Sequence, residues 1–428
     1  MAAHSLIEKD RAHIWHPFTQ MQAKRQPIPI CRAKGVYLYS EDGRRYLDGI
    51  SSWWVNLHGH AHPYIVEKIK SQADQLEHVI FADFTHAPAV DLASRLLQIL
   101  PGAMSKIFYS DNGSTAVEVA IKMALQYWQN QNPNTPKKKV ICFKNSYHGD
   151  TFGAMSAAGR NDFNKPFWNH LFEVDQIDVP TRGQADESLS QLKAILNRGN
   201  AACFIFEPLI LGSGGMIMYP AEGLNRLIRC CRQHDVITIA DEVMTGFGRT
   251  GTLFACDQLD EQPDLICLSK GLTGGFLPLG ATACTERIFN AFLGDSLHQA
   301  FLHGHSYTAN PLACSSALAS LDLLLEESCY TQRKMISDLH NAFCQRWSSH
   351  PKLKRCESLG TILAIEYQTA EKSSYFQSMR DRLYDFFLDR GILLRPLGNV
   401  LYILPPYCIQ AEELTNIYEQ ISFTMEGV

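Results

Sequence analysis

The 428-residue chain contains no run of about eighteen apolar residues, so no segment of it reads as a membrane-spanning helix. It also contains no Cys-x-x-Cys pair. Its 13 cysteines are odd in number and spread from Cys31 to Cys408, which argues against a disulfide framework; most are expected to be reduced, buried and inert. A dominant charge is missing as well. With 39 basic and 44 acidic residues the net charge is −5, too mild to draw the chain toward nucleic acid or an anionic membrane. Small molecules are the expected partners, with no nucleic acid and no membrane. Residues 1–10 carry Glu8, Lys9 and Asp10 and lack an apolar signal core, so the expected location is cytoplasmic.

No internal repeat, low-complexity tract or long linker interrupts the chain, and 46% hydrophobic residues can fill a substantial core. Residues 35–39, the turn Glu41-Asp42-Gly43 and residues 45–48 predict a hairpin with Asp-Gly at its bend. From about Pro63 to Glu326, short apolar runs alternate with helical patterns. The runs at 106–109, 140–143, 202–206, 236–240 and 265–268 predict an α/β fold with a mostly parallel central sheet. After Glu326 a helix, strands around 361–365 and 400–404, and closing helices predict a small α+β domain. The expected division is an N-terminal segment, 1–62, joining the small domain, a large domain at 63–326, and a C-terminal small domain at 327–428.

In a parallel α/β sheet ligands bind at the carboxyl ends of the strands, so polar residues just beyond apolar runs carry the interest. The run at 236–240 ends in Asp241. The run at 265–268 ends in Ser269 and Lys270, followed by glycines that allow close backbone approach. A carboxylate and an amine thus arrive at one sheet edge. An acid there can keep a pyridinium nitrogen protonated while the amine forms an imine and shuttles a proton. Alone, either residue reads as a surface ion-pair member; the pair in this context does not. The run at 106–109 leads to Gly113 and Ser114, ahead of a helix predicted over 116–128 with capping-box spacing from Thr115 to Glu118. A helix N-terminus of this kind suits a phosphate. Beyond the run at 140–143, Tyr147 can stack on a flat heterocycle.

Two motifs carry a resemblance. Ile239-Ala-Asp-Glu-Val-Met-Thr-Gly-Phe-Gly-Arg-Thr-Gly251 with Leu268-Ser-Lys-Gly271 resembles the signature of class III, fold type I aminotransferases, which depend on pyridoxal 5'-phosphate. Further stretches, Trp15-His-Pro17, Ser51-Ser-Trp-Trp54, Tyr147-His-Gly-Asp-Thr-Phe-Gly153, Asn310-Pro-Leu-Ala-Cys314, Arg395-Pro396 and Leu404-Pro-Pro-Tyr407, are similar to the branch of that class that serves biotin synthesis. The likeness spans essentially the whole chain. It implies a large domain with a mostly parallel sheet, a small domain built from both chain ends, and a homodimer with shared active sites. It also implies conversion of 8-amino-7-oxononanoate to 7,8-diaminononanoate by ping-pong chemistry, with S-adenosylmethionine as amino donor.

Carried over motif by motif, the resemblance makes Lys270 the residue that holds the cofactor as a Schiff base and Asp241 the partner of its ring nitrogen. Gly113 and Ser114 become the phosphate cradle, Tyr147 the stacking ring, and Glu207 a residue at the active-site edge with Arg249 as its partner. Ser306 would reach the phosphate from the other subunit. Trp53, Trp54, Gly304, Arg395 and Tyr402 would bind substrate, the tryptophans lining the methylene chain and Arg395 forking onto its carboxylate.

Two departures bear on the donor. The family often has tyrosine where this chain has Phe18, and His303-Gly-His-Ser-Tyr-Thr308 differs from the usual pattern, so lysine stays open as donor, as does another class III ω-amino acid substrate. A regulatory protein sensing the cofactor is disfavoured because no helix-turn-helix or basic arm remains outside the fold. Histidines at 58, 60 and 62 lack the ligand spacing of a metal site, and no metal is expected.

Overall fold

The computed structural model describes residues 5–22, 25–370 and 375–427. Its centre is a seven-stranded sheet whose strands, in chain order, are β1 (Met104–Ser110), β2 (Lys139–Phe143), β3 (Val174–Ile177), β4 (Ala201–Phe206), β5 (Ile237–Asp241), β6 (Leu265–Leu268) and β7 (Gly280–Thr285). They lie side by side in the order β1-β7-β6-β5-β4-β2-β3. Only β7 runs against its neighbours, pairing antiparallel with both β6 and β1. The parallel expectation therefore holds for six strands. β3 and β7 escaped the reading for a physical reason: β3 reads Val-Asp-Gln-Ile at a sheet edge, and β7 is built from Gly, Ala, Thr and Cys, so neither presents a long apolar run.

Strands covered on both faces have no polar side to alternate with. In β4 every residue is buried; Phe204 and Phe206 enter one core cluster while Cys203 and Ile205 enter another on the opposite face. The helix Gly113–Gln131 fills that second face with Val117, Ala120, Ile121, Ala124 and Trp128. Trp128 Nε1 donates to the carbonyl of Ala202 at 2.8 Å, and Thr282 Oγ1 donates to the carbonyl of Ala116 at 2.8 Å, so the helix is tied to the sheet at both ends. Its first turn sits directly beyond the end of β1. Asn112 caps it through Thr115, not Thr115 through Glu118 as the spacing suggested: Asn112 Oδ1 accepts from the Thr115 amide at 3.0 Å. Glu118 turns away because a second set of orphan donors lies closer. Its Oε1 accepts from the Gly153 and Ala154 amides at 2.7 and 3.0 Å, capping the short helix Phe152–Ser156.

The predicted hairpin forms, Tyr37–Ser40 pairing antiparallel with Arg45–Asp48. The second of these strands then pairs in parallel with Ile392–Leu393, so residues far apart in sequence share one four-stranded sheet. A separate three-stranded sheet joins Leu353–Leu359, Ile362–Tyr367 and Val400–Ile403. Among the described residues, no helix is long and apolar enough to cross a membrane. The described cysteines are all free and most are buried.

Candidate active site

Five strand ends meet at one cavity of about 480 Å³. Gly113 and Ser114 come from the end of β1, Tyr147 from β2, Glu207 from β4, Asp241 from β5 and Lys270 from β6, and all of them line it. Because the strands are parallel, their carboxyl ends share one edge of the sheet, and adjacent β5 and β6 place Asp241 opposite Cys267, three residues before Lys270.

Asp241 is held from two sides. His148 Nδ1 lies 2.7 Å from its Oδ2, and the Val243 amide donates to its Oδ1 at 3.1 Å, leaving a buried carboxylate with a fixed orientation. Lys270 stands in a left-handed backbone conformation, φ 47°, a strain that lysine adopts only where the surroundings enforce it. Its Nζ sits 4.5 Å from the centre of the Trp54 ring. Burial favours the neutral amine and pulls its pKa down to about 8, with the negative charges of Asp241 and Glu207 opposing that fall. Glu207 is shifted the other way, up to about 7, chiefly by burial.

The Gly113 and Ser114 amides occupy the first turn of their helix, where no carbonyl within the helix can reach them. A side chain at position 113 would collide with Val243, whose Cγ1 lies 2.7 Å from where a Cβ would stand. Gly149, at φ 133°, lets the chain pass over Ser114, and a Cβ there would lie 2.2 Å from the Ser114 hydroxyl oxygen. These amides, that hydroxyl and the helix dipole together form an anion cradle.

One partner assignment is wrong. Glu207 does not pair with Arg249; its Oε1 accepts from the Tyr147 amide at 3.0 Å and its Oε2 from the Gly212 amide at 2.9 Å. Arg249 points away from the cavity, because Gly248 at φ 98° turns the chain, and is buried among backbone carbonyls of Pro405 (2.8 Å), Asn56 (3.2 Å) and Trp54 (3.3 Å), with the Tyr407 ring 4.9 Å away. It fastens the Trp54 segment to the C-terminal part of the chain. Arg249→Ala is expected to lower the unfolding free energy by about 3 kcal/mol, since it strands several buried carbonyls. A urea titration checks it: a midpoint equal to that of the parent would refute the clamp.

The paired tryptophans divide. Trp54 lines the cavity and is buried, whereas Trp53 is 38% exposed and carries the Arg395 guanidinium 4.7 Å above its ring. Ser51, Ser52, Trp53 and Trp54 all have positive φ. Asp48 stabilises this strained run: its Oδ1 accepts from the Ile50 and Ser52 amides, and its Oδ2 from the Ser52 hydroxyl at 2.8 Å and faces His60 Nε2 at 2.9 Å. Tyr402 stands behind the wall, edge-on to Trp54 at 5.9 Å. Gly304 and Ser306 are exposed and outside the cavity of their own chain; nearby His305 Nδ1 lies 3.6 Å from Asp111.

His148, a second polar residue past the end of β2, lines the cavity beside Tyr147 and is not among the residues expected from the sequence. Met244 and the stretch 276–279 also line the cavity and carry no pattern that marks them. Of the alternating histidines, His58 pairs with Ser320 at 3.0 Å and His60 with Asp48, so these two have structural partners. Among the described residues no group of three His, Cys, Asp or Glu side chains is placed to hold a metal ion.

The sequence profile of the class-III aminotransferases matches residues 19–425. The chain belongs to this family. Among curated class-III aminotransferases, it is 47% identical over 424 residues to the adenosylmethionine-8-amino-7-oxononanoate aminotransferase of Synechococcus elongatus, covering 97% of this chain and 99% of that protein. The Geobacter sulfurreducens protein of the same name is 39% identical over 450 residues, covering 99% and 98%. The crystal structure of the Methanocaldococcus jannaschii protein of that name superposes with a TM-score of 0.93 at 36% identity, covering 98% of each chain. An omega transaminase from Pseudomonas jessenii, solved with PMP, gives 0.91 at 26% identity, covering 99% of this chain and 98% of that one. The fold is that of the class III, fold type I transaminases, and the chain is an aminotransferase.

Proposed function

We propose that the cavity binds pyridoxal 5'-phosphate and transfers an amino group to 8-amino-7-oxononanoate, yielding 7,8-diaminononanoate in biotin synthesis, with S-adenosylmethionine as donor. The observation that carries this reading is the meeting of Lys270, Asp241 and the Gly113–Ser114 cradle at one sheet edge, in a protein whose relatives carry that activity in their names. The residues fit the cofactor. An anion cradle suits a phosphate, a buried carboxylate oriented by His148 suits a protonated ring nitrogen, and a desolvated amine suits a carbonyl.

When bound, the cofactor supplies a ring that withdraws electrons from the carbon bearing the amino group. Asp241 would hold the protonated ring nitrogen, and Tyr147 would lie against the ring. Lys270 Nζ moves the proton at the reacting carbon, which requires the neutral amine that burial favours. Trp54 walls the apolar side of the cavity and excludes water, while Arg395 beside Trp53 takes the carboxylate of the keto acid. Gly304 and Ser306 would complete the site of a second copy. Leu302 and Tyr307, beside them, are 68% and 63% exposed, an apolar surface suited to burial in a homodimer. Phe18 brings no hydroxyl, so lysine is the alternative donor.

The test is an assay of purified, cofactor-loaded protein with 8-amino-7-oxononanoate and either donor. Formation of 7,8-diaminononanoate is expected; no product with S-adenosylmethionine or lysine would defeat the reading. A pH dependence follows from the amine. With a pKa of about 8, roughly a tenth of Lys270 is neutral at pH 7 and most of it above pH 9. The rate at which cofactor-free protein takes up pyridoxal phosphate should therefore rise with pH, with its midpoint near 8. Glu207→Gln removes a charge that raises this pKa and should move the midpoint lower; an upward move would contradict the assignment.

A further inference from the structure

Beside the Trp54 wall, five side chains from five separate parts of the sequence close a ring. Phe18 meets Trp53 edge-on at 5.4 Å, and Arg395 lies 4.7 Å over Trp53. Arg395 Nη2 donates to the Tyr375 hydroxyl at 3.5 Å; Tyr375 packs on Phe163 at 4.6 Å, and Phe163 returns to Phe18 at 6.1 Å. Phe18, Trp53 and Phe163 are each around two-fifths exposed or more, which is unusual for three aromatic rings gathered at one place unless an apolar ligand covers them. The Tyr375 ring is fixed from outside by Arg380, 4.7 Å from its centre.

The Tyr375 oxygen accepts from Arg395, and its own O–H finds no acceptor among the described residues, so the proton is free for a third group. Arg395 likewise has no carboxylate partner among the described residues. A ligand that satisfies both is an anion with two oxygens, carried on an apolar chain that lies along the rings. Phe18, at the far side of Trp53, has the ring but not the hydroxyl.

We propose that Tyr375 is a substrate-binding residue, its hydroxyl donating to the terminal carboxylate of the acceptor next to the Arg395 guanidinium. The assignment rests on the reading of Arg395 as the carboxylate anchor. It differs from that reading in making the affinity for the anion depend on a second donor.

Octanoate and octanamide, which share the apolar chain and differ in charge, test it by calorimetric titration of the cofactor-loaded enzyme. The parent enzyme should bind octanoate more tightly than octanamide. Tyr375→Phe should weaken octanoate about tenfold and leave octanamide nearly unchanged, the loss expected for one hydrogen bond to a charged group. With the keto acid, Tyr375→Phe should raise KM about tenfold and leave kcat within about twofold. An unchanged octanoate-to-octanamide ratio in Tyr375→Phe, or equal weakening of both, overturns the role of Tyr375 alone. A parent enzyme that does not distinguish the two probes overturns the Arg395 anchor, and the inference with it.

Discussion

Lys270→Ala is expected to lower kcat by at least about 10⁴, because the group proposed to hold the cofactor and to move the proton is lost in one change. The fold should survive it. Position 270 has φ 47°, which alanine tolerates no worse than lysine, and the deleted amine lies against the Trp54 ring in no ion pair among the described residues. Removing it leaves Asp241 and Glu207 with less nearby positive charge and frees space against the Trp54 ring. Small primary amines such as methylamine should restore part of the rate, since they can occupy that space and carry the proton. Steady-state rates with and without methylamine, alongside a thermal melt of each protein, provide the check. Full turnover by the variant would remove Lys270 from the mechanism, and a collapsed melt would assign the loss to folding.

Asp241→Asn is expected to cost about 10²–10³ in kcat, the scale found when a preorganised charge is removed from an active site. The substitution is close to isosteric, and the amide oxygen can still accept from the Val243 amide or face His148. What disappears is the charge that would keep a ring nitrogen protonated. Asp241→Glu retains the charge and displaces it, so its rate should fall between that of Asp241→Asn and the parent. Rapid-quench kinetics separate the chemical step from product release. If Asp241→Asn matched the parent in that step, the carboxylate would have no role beyond structure. The same change should lower the Lys270 pKa further, because Asp241 is the largest influence that raises it.

Much of the site was legible because of where polarity falls in an apolar text. Gly113, Ser114, Tyr147, Glu207, Asp241 and Lys270 each follow a short apolar run, and all six line one cavity. His148 shares that signal and lines the same cavity. Where the reading failed, direction was the missing quantity. Arg249 lies eight residues beyond Asp241 in the same motif, yet the turn at Gly248 sends its guanidinium to carbonyls at positions 54, 56 and 405. Glu118 has capping spacing for its own helix, yet it caps another that begins 34 residues later. The substrate side was legible as residue types and not as an arrangement: Trp53 and Trp54 are neighbours in sequence, but the left-handed run at 51–54 sends one ring into the cavity and the other toward Arg395.

The sequence by itself determined the edge at which the candidate site forms, since successive parallel strands must bring their carboxyl ends together wherever the helices lie. Tertiary structure alone decided which polar groups meet. Ser51 bonds to the carbonyl of Leu404 across 353 positions, and Tyr375 reaches Phe163 and Arg395 from separate elements. Such pairings depend on side-chain direction and on the packing of distant segments, and local periodicity carries neither.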